Sequence, residues 1–212
     1  MNIEIRNETE KDFREVEELT REAFWNLYFP GCDEHYLVNR MRTHADFIKE
    51  LDFVAVTNGK IVGNIMYTKA KLVNENEQEM DIVTFGPLCV HPEVQRQGIG
   101  TQLINYTKKL LIENGIKGMV IFGDPHNYCT HGFKNGKDLN ISDMNGEYPY
   151  GMLALALEEK AFEGHQWKYQ MSDVYIFDQE AVEKFDQQFD PKEKAYQYSQ
   201  DIFSISIRSY LK

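Results

Sequence analysis

Thr84-Phe85-Gly86-Pro87-Leu88-Cys89-Val90-His91-Pro92-Glu93-Val94-Gln95-Arg96-Gln97-Gly98-Ile99-Gly100 is the stretch that decides the fold. An apolar run ends at Val90, Pro92 punctuates a turn, and glycines lead into an apolar-periodic segment. This reads as a buried strand, a loop and a helix beginning near Gly100. A helix N-terminus presents unpaired N–H groups and a partial positive charge, so it attracts anions. Gly98 and Gly100 lack Cβ and let a phosphate approach the backbone closely. Gln95, Arg96 and Gln97 add donors at the rim. The residues alone indicate a pyrophosphate cradle at a strand-to-helix junction.

Two common cradles are excluded. A dinucleotide fingerprint needs a third glycine where Leu103 stands. A P-loop needs Lys-Ser/Thr after its last glycine, and Gly100 is followed by Thr101-Gln102. Gln95-x-x-Gly98-x-Gly100, preceded by Leu88-x-Val90-x-Pro92, resembles the acetyl-CoA signature Gln/Arg-x-x-Gly-x-Gly/Ala of the GNAT superfamily of N-acetyltransferases. That resemblance implies that backbone N–H groups from about Arg96 to Thr101, Ile99 and Gly100 included, hold the pyrophosphate of acetyl-CoA. It also implies that Leu88, Cys89 and Val90 offer backbone contacts to the pantetheine arm and the acetyl carbonyl. As a side chain, Cys89 reads simply as a small buried hydrophobe.

A second run carries the same resemblance. Gly123-Asp124-Pro125-His126-Asn127-Tyr128-Cys129-Thr130-His131-Gly132-Phe133 is similar to the Gly-Asp-Pro-x-x-Tyr-x-x-x-Gly-Phe run of one branch of the superfamily. There the tyrosine lies beside the CoA sulfur, which implies that Tyr128 is the catalytic acid for the departing thiolate. Thr130 and His131 depart from the pattern, where a basic and an apolar residue are common. His126, Cys129 and His131 do not make a metal site, because no second ligand pair at zinc spacing accompanies them. No metal is expected.

The 212 residues suffice for one domain with a substantial core, and 42% hydrophobic with 27% charged residues is an ordinary globular balance. A net charge of −11 argues against nucleic acid as a partner and leans towards a cationic substrate. Three cysteines, Cys32, Cys89 and Cys129, make no disulfide framework. Met1-Asn2-Ile3-Glu4-Ile5-Arg6 reads as no leader, and no apolar run approaches a membrane span of roughly 18 residues. The expected compartment is the cytoplasm, without membrane association, as a monomer or homodimer.

Outside the two motifs the chain reads as alternating short elements. Ile3 and Ile5 begin a strand. Thr9 with Asp12 reads as a cap for a helix running to about Trp25. A second helix is expected from Asp33 to about Ala45, its acids Asp33 and Glu34 being either a capping pair or amine contacts. Leu51–Thr57 and Ile61–Val73 are strands joined by the hairpin signal Asn58-Gly59. Met80–Val90 follows, then the helix to Asn114-Gly115, a strand over Met119–Phe122, and a polar surface connection over Lys134–Gly151. Strands at Met152–Leu157 and Gln166–Met171, a helix over Ala181–Phe189, and over Gln200–Leu211 either a strand, by its near period-two alternation, or a terminal helix, which its position favours, complete the reading.

The expected fold class is α/β with a mixed, mostly antiparallel sheet, a splayed parallel strand pair, helices on both faces and a C-terminal extension. Residues 1–177 are expected to form the acetyltransferase domain and 178–212 an extension packed on it. The resemblance implies an acyltransferase that moves an acetyl group from acetyl-CoA to a primary amine by direct attack in a ternary complex. Polyamine, aminoglycoside, amino acid, peptide N-terminus and protein lysine all remain open as acceptors, with charge favouring a small cation. The alternative is a module that binds acyl-CoA as a sensor without turnover.

Overall fold

The computed structural model describes residues 2–212. In chain order its elements are β1 (Glu4–Asn7), α1 (Phe13–Phe24), α2 (Glu34–Met41), β2 (Phe53–Thr57), β3 (Lys60–Asn74) and β4 (Glu79–Val90). Then come α3 (Ile99–Glu113), β5 (Gly118–Phe122), α4 (Pro125–Tyr128), β6 (Lys134–Asn135), β7 (Ile141–Ser142), β8 (Met152–Ala156) and β9 (Trp167–Gln170). Helices α5 (Gln179–Asp186) and α6 (Tyr198–Ser206) end the chain. Strands pair in the order β1-β2-β3-β4-β5-β8-β6, with β9 on β3 and β7 on β9. Pairing is antiparallel in β1–β2, β2–β3, β3–β9, β5–β8 and β6–β8. It is parallel in β4–β5 at Val83↔Met119 and in the short β7–β9 pair. This is the mixed, mostly antiparallel α/β class expected from the sequence.

The chain divides into two compact units. The first holds Met1–Tyr67, Gly86–Asn105 and Asp173–Ile202. One core here joins Val16 and Leu19 of α1 to Val54, Ile61 and Cys89. Another gathers Leu37, Val38 and Met41 of α2 with Met66 and Val174. The β2–β3 turn is tight because Asn58 (φ +50°) and Gly59 (φ +76°) both take the left-handed region, as a two-residue hairpin demands. Residues 178–202 dock here: Arg21 binds Asp186, and Phe185 and Phe189 pack on the His35 ring.

The second unit holds Thr68–Phe85, Tyr106–Ser172 and Phe203–Lys212. Its core contains Leu72, Ile82, Val120, Ile141, Met152, Phe162, Trp167 and Tyr169. Gly118 and Phe162 are fitted to each other, since a Cβ on Gly118 would lie 2.3 Å from Phe162 Cζ.

Four expectations need correction. Helix α1 begins at Phe13 and not after Thr9: the Asp12 carboxylate does take the Thr9 N–H at 2.8 Å and hydroxyl at 2.7 Å, and also Arg6 at 2.7 and 2.9 Å, but no side chain caps the helix at Asp12. Helix α2 ends at Met41, short of Ala45, where Arg42 turns inward to Glu8 and Glu17, at 2.7 Å each. The strand expected from Leu51 starts at Phe53, after a 3₁₀ turn over Lys49–Leu51. The expected surface connection over Lys134–Gly151 instead contains β6, a 3₁₀ turn and β7, with Ile141 fully buried against the sheet.

Candidate active site

The loop after β4 is tied down at its start. His91 N–H donates to Val62 O at 2.9 Å, and the Gln95 side-chain amide donates to Val90 O at 3.1 Å. Gln95 therefore braces the loop against β4, whereas the sequence placed it among the rim donors. Arg96 (φ +60°) and Gly98 (φ +82°) hold the left-handed region, and a non-glycine residue there marks backbone the surroundings enforce. The first α3 hydrogen bond runs from Gln102 N–H to Gly98 O at 3.0 Å. The N–H groups of Ile99, Gly100 and Thr101 precede it and carry the positive end of a 15-residue helix.

Anchoring is apolar from below. Ile99, Leu103 and Ile104 are buried, while Gln95, Arg96, Gln97, Gly98 and Thr101 are exposed. A Cβ built on Gly98 meets no described heavy atom within 4 Å, so it would project into the open mouth of the turn. A Cβ on Gly100 would lie 3.8 Å from Val90 Cγ2 and 4.0 Å from Leu88 Cδ2, ordinary contact that alanine satisfies. The pattern Gly-x-Gly/Ala thus has a steric reading here. An anion-accepting turn with bare backbone fits a pyrophosphate.

In β4, Leu88 and Val90 are half-buried and Cys89 is buried. The Cys89 sulfur lies 3.5 Å from the Thr20 hydroxyl, and burial pushes its thiol up to about 11. That side chain is inert packing. The Gly86–Pro87 bond is cis, and the Tyr175 hydroxyl donates to Gly86 O at 3.3 Å.

In the second unit, Asp124 starts the short α4 by accepting from His126 N–H at 2.9 Å. A 3₁₀ turn over Cys129–His131 follows, and Gly132 (φ +92°) ends it. Tyr128 is half-buried, its ring 5.7 Å from Phe85 and 5.9 Å from Phe133. The ring lies flush on Gly123, whose Cβ would be 2.4 Å from Tyr128 Cε2. Gly123 is a residue that sequence reading quoted without a role; only the packing supplies one. Burial, and then the Lys108 charge, lower the His131 pKa.

Asp33 and Glu34 stand at the start of α2, where no side chain caps the helix; Glu34 Oε2 accepts from Asp33 N–H at 3.2 Å. Burial raises both carboxyls, and Asp33 raises Glu34 further. Among the described residues, His44, Asp46 and Asp173 form the one His/Asp group close enough for an ion. Both His44 nitrogens already have partners there, Asp46 N–H at 3.2 Å and Asp173 at 3.0 Å.

Residues 49–135 match the family model described as an acetyltransferase (GNAT) domain. An uncharacterized N-acetyltransferase, YjhQ of Escherichia coli K12, is 32% identical over 84 residues, which are 40% of this chain and 46% of that protein. The match thus spans about half the length of the curated relative. Among solved structures, the GNAT protein YhbS of Escherichia coli, in complex with CoA, superposes with a TM-score of 0.71 at 22% identity, covering 82% of this chain and 92% of that one. A GNAT acetyltransferase of Brucella melitensis, in complex with acetyl-CoA, gives 0.63 at 23% identity, covering 82% and 98%. These two likenesses show the fold. The segment that matches the GNAT acetyltransferase domain model, residues 49–135, contains both quoted motifs.

Proposed function

We propose that this protein is an acetyl-CoA-dependent N-acetyltransferase acting on a primary amine of a small cationic molecule. The observation that carries the reading is the turn before α3. Its Ile99, Gly100 and Thr101 N–H groups precede the helical ladder, and Gly98 leaves the approach bare. The two solved relatives above, one with CoA and one with acetyl-CoA, support the same ligand here. The net charge of −11 supports a cationic acceptor.

Each group then has a role. Backbone N–H groups from Arg96 to Thr101 hold the pyrophosphate, with the exposed Arg96 and Gln97 at the rim. The backbone of Leu88, Cys89 and Val90 pairs with the pantetheine arm and polarises the thioester carbonyl. The amine nitrogen attacks that carbonyl carbon, the C–S bond breaks, and the Tyr128 hydroxyl gives its proton to the leaving sulfur. A positioned acid of this kind contributes about 10²–10⁴ in rate. The acceptor must shed its own proton first, since an alkyl ammonium has a pKa of about 10.4.

Thiol release from acetyl-CoA, followed with a panel of polyamines, aminoglycosides, amino acids and peptides, tests the activity. Tyr128→Phe is expected to lower the maximal rate by about 10²-fold or more. An unchanged maximal rate removes Tyr128 from the mechanism, and no thiol release with any amine, in a protein that binds acetyl-CoA, favours the sensing module.

A further inference from the structure

Gly63 sits inside β3, opposite Ala55 of β2, with a φ outside the left-handed region. Its backbone therefore does not demand glycine; its surroundings do. A Cβ there would lie 3.1 Å from Ile99 Cγ2, 3.2 Å from Leu103 Cδ1 and 3.3 Å from the Cys89 carbonyl oxygen. Ile99 and Leu103 are one turn apart on the buried face of α3, and Cys89 belongs to the end of β4. The residue before Gly63 also takes part, because Val62 O accepts the His91 N–H that starts the loop. The helix start, the loop and the end of β4 thus all bear on one point of β3. An isolated glycine within a strand often marks such a close approach.

We infer that Gly63 is a positioning residue for CoA: it fixes the separation between the α3 N-terminus and the end of β4. This rests on the proposed function, in which the first element holds the pyrophosphate and the second the pantetheine arm. A methyl at position 63 pushes the two elements apart by a few tenths of an ångström. Each keeps its own backbone donors, but one ligand no longer spans both in register.

The test is calorimetric titration of Gly63→Ala and wild type with CoA, and with ADP, which carries the pyrophosphate without the arm. CoA affinity is expected to fall about tenfold in the variant, while the ADP affinity stays within about twofold. Gly63→Ala/Leu103→Val, which returns the space taken by the methyl, is expected to recover most of the CoA affinity. Val38→Ala, at a buried α2 residue in the separate core with Met41 and Met66, controls for lost stability and should leave CoA affinity unchanged. If Gly63→Ala does not accumulate as folded protein, Leu103→Phe overfills the same space from the helix side and should give the same pattern. Wild-type CoA affinity in Gly63→Ala, or equal losses for CoA and ADP, overturns the inference. Failure of wild type itself to bind CoA instead overturns the proposed function.

Discussion

Removing the Asp186 carboxylate should strongly destabilise the protein. Arg21 has a side chain only 6% exposed, and Asp186 holds it in a fork, with Nε–Oδ1 at 2.7 Å and Nη2–Oδ2 at 3.2 Å. The remaining guanidinium contacts are the Asp190 carbonyl at 3.0 Å and the Trp25 and Phe189 rings at 4.2 and 5.4 Å. His35, fully buried with Nε2 3.0 Å from Asp186 Oδ1, adds no second cation: burial holds its pKa down at about 4, so it is neutral at pH 7. Asp186→Ala therefore leaves one buried, unpaired cation. Breaking a buried pair in this way costs about 3–5 kcal/mol. A domain of this size loses about 2–4 °C of melting temperature per kcal/mol, so the midpoint should fall by roughly 6–20 °C. The exposed Arg14–Glu18 pair, 46% and 57% accessible, is the internal comparison, and Glu18→Ala should cost less than about 1 kcal/mol. Urea denaturation at pH 7 measures both. A loss below about 1 kcal/mol for Asp186→Ala would refute the reasoning, because Arg21 would then be solvated or repaired elsewhere.

Other expectations follow from single contacts. Gly123→Ala drives a methyl into the Tyr128 ring, whose Cε2 would be 2.4 Å away, so the ring must move by about 1 Å. With the amine found in the panel, the maximal rate should drop about 10²-fold, with CoA affinity within about threefold. Equal losses in rate and affinity would indicate general damage instead. Asp52 is buried against Glu8 and Asn64, and burial with the Glu8 contact raises its carboxyl well above the ordinary 3.8. The native state thus keeps a proton that the unfolded chain has lost, so this contribution is full below about pH 4 and declines as pH rises. Asp52→Asn should remove that decline, and its stability relative to wild type should be greater at pH 8 than at pH 5. A pH-independent difference would show that Asp52 is not protonated in the fold.

The parts legible in the sequence were those where one local residue choice fixes one backbone conformation. Asn58-Gly59 specified its turn, Gly115 (φ +73°) ended α3, and Gly98 before an apolar run specified the start of α3. Where distant side chains decide, local reading failed. The Thr9–Asp12 spacing suggests a contact that does form, but nothing local reveals that Arg6 also claims the Asp12 carboxylate or that the helix begins only at Phe13. The apolar periodicity through Ala45 suggests a longer α2, yet the helix ends at Met41, beside the Arg42 pairs with Glu8 and Glu17. Two-residue strands such as β7 are too short to show a period, so Ile141 looked like part of a polar connection. At the site, the motif residues were legible because glycine and helix-start chemistry are local. Gly63 and Gly123 were not, because a glycine in a sequence does not name what lies against it.

The central claim is that the turn before α3 binds CoA through bare backbone. Calorimetric titration of wild type and Gly98→Trp with CoA tests it most directly. The account predicts saturable binding by wild type and its loss in the variant, whose indole would fill the mouth of the turn while both proteins stay folded. Absence of CoA binding by folded wild type, or equal binding by Gly98→Trp, would contradict it.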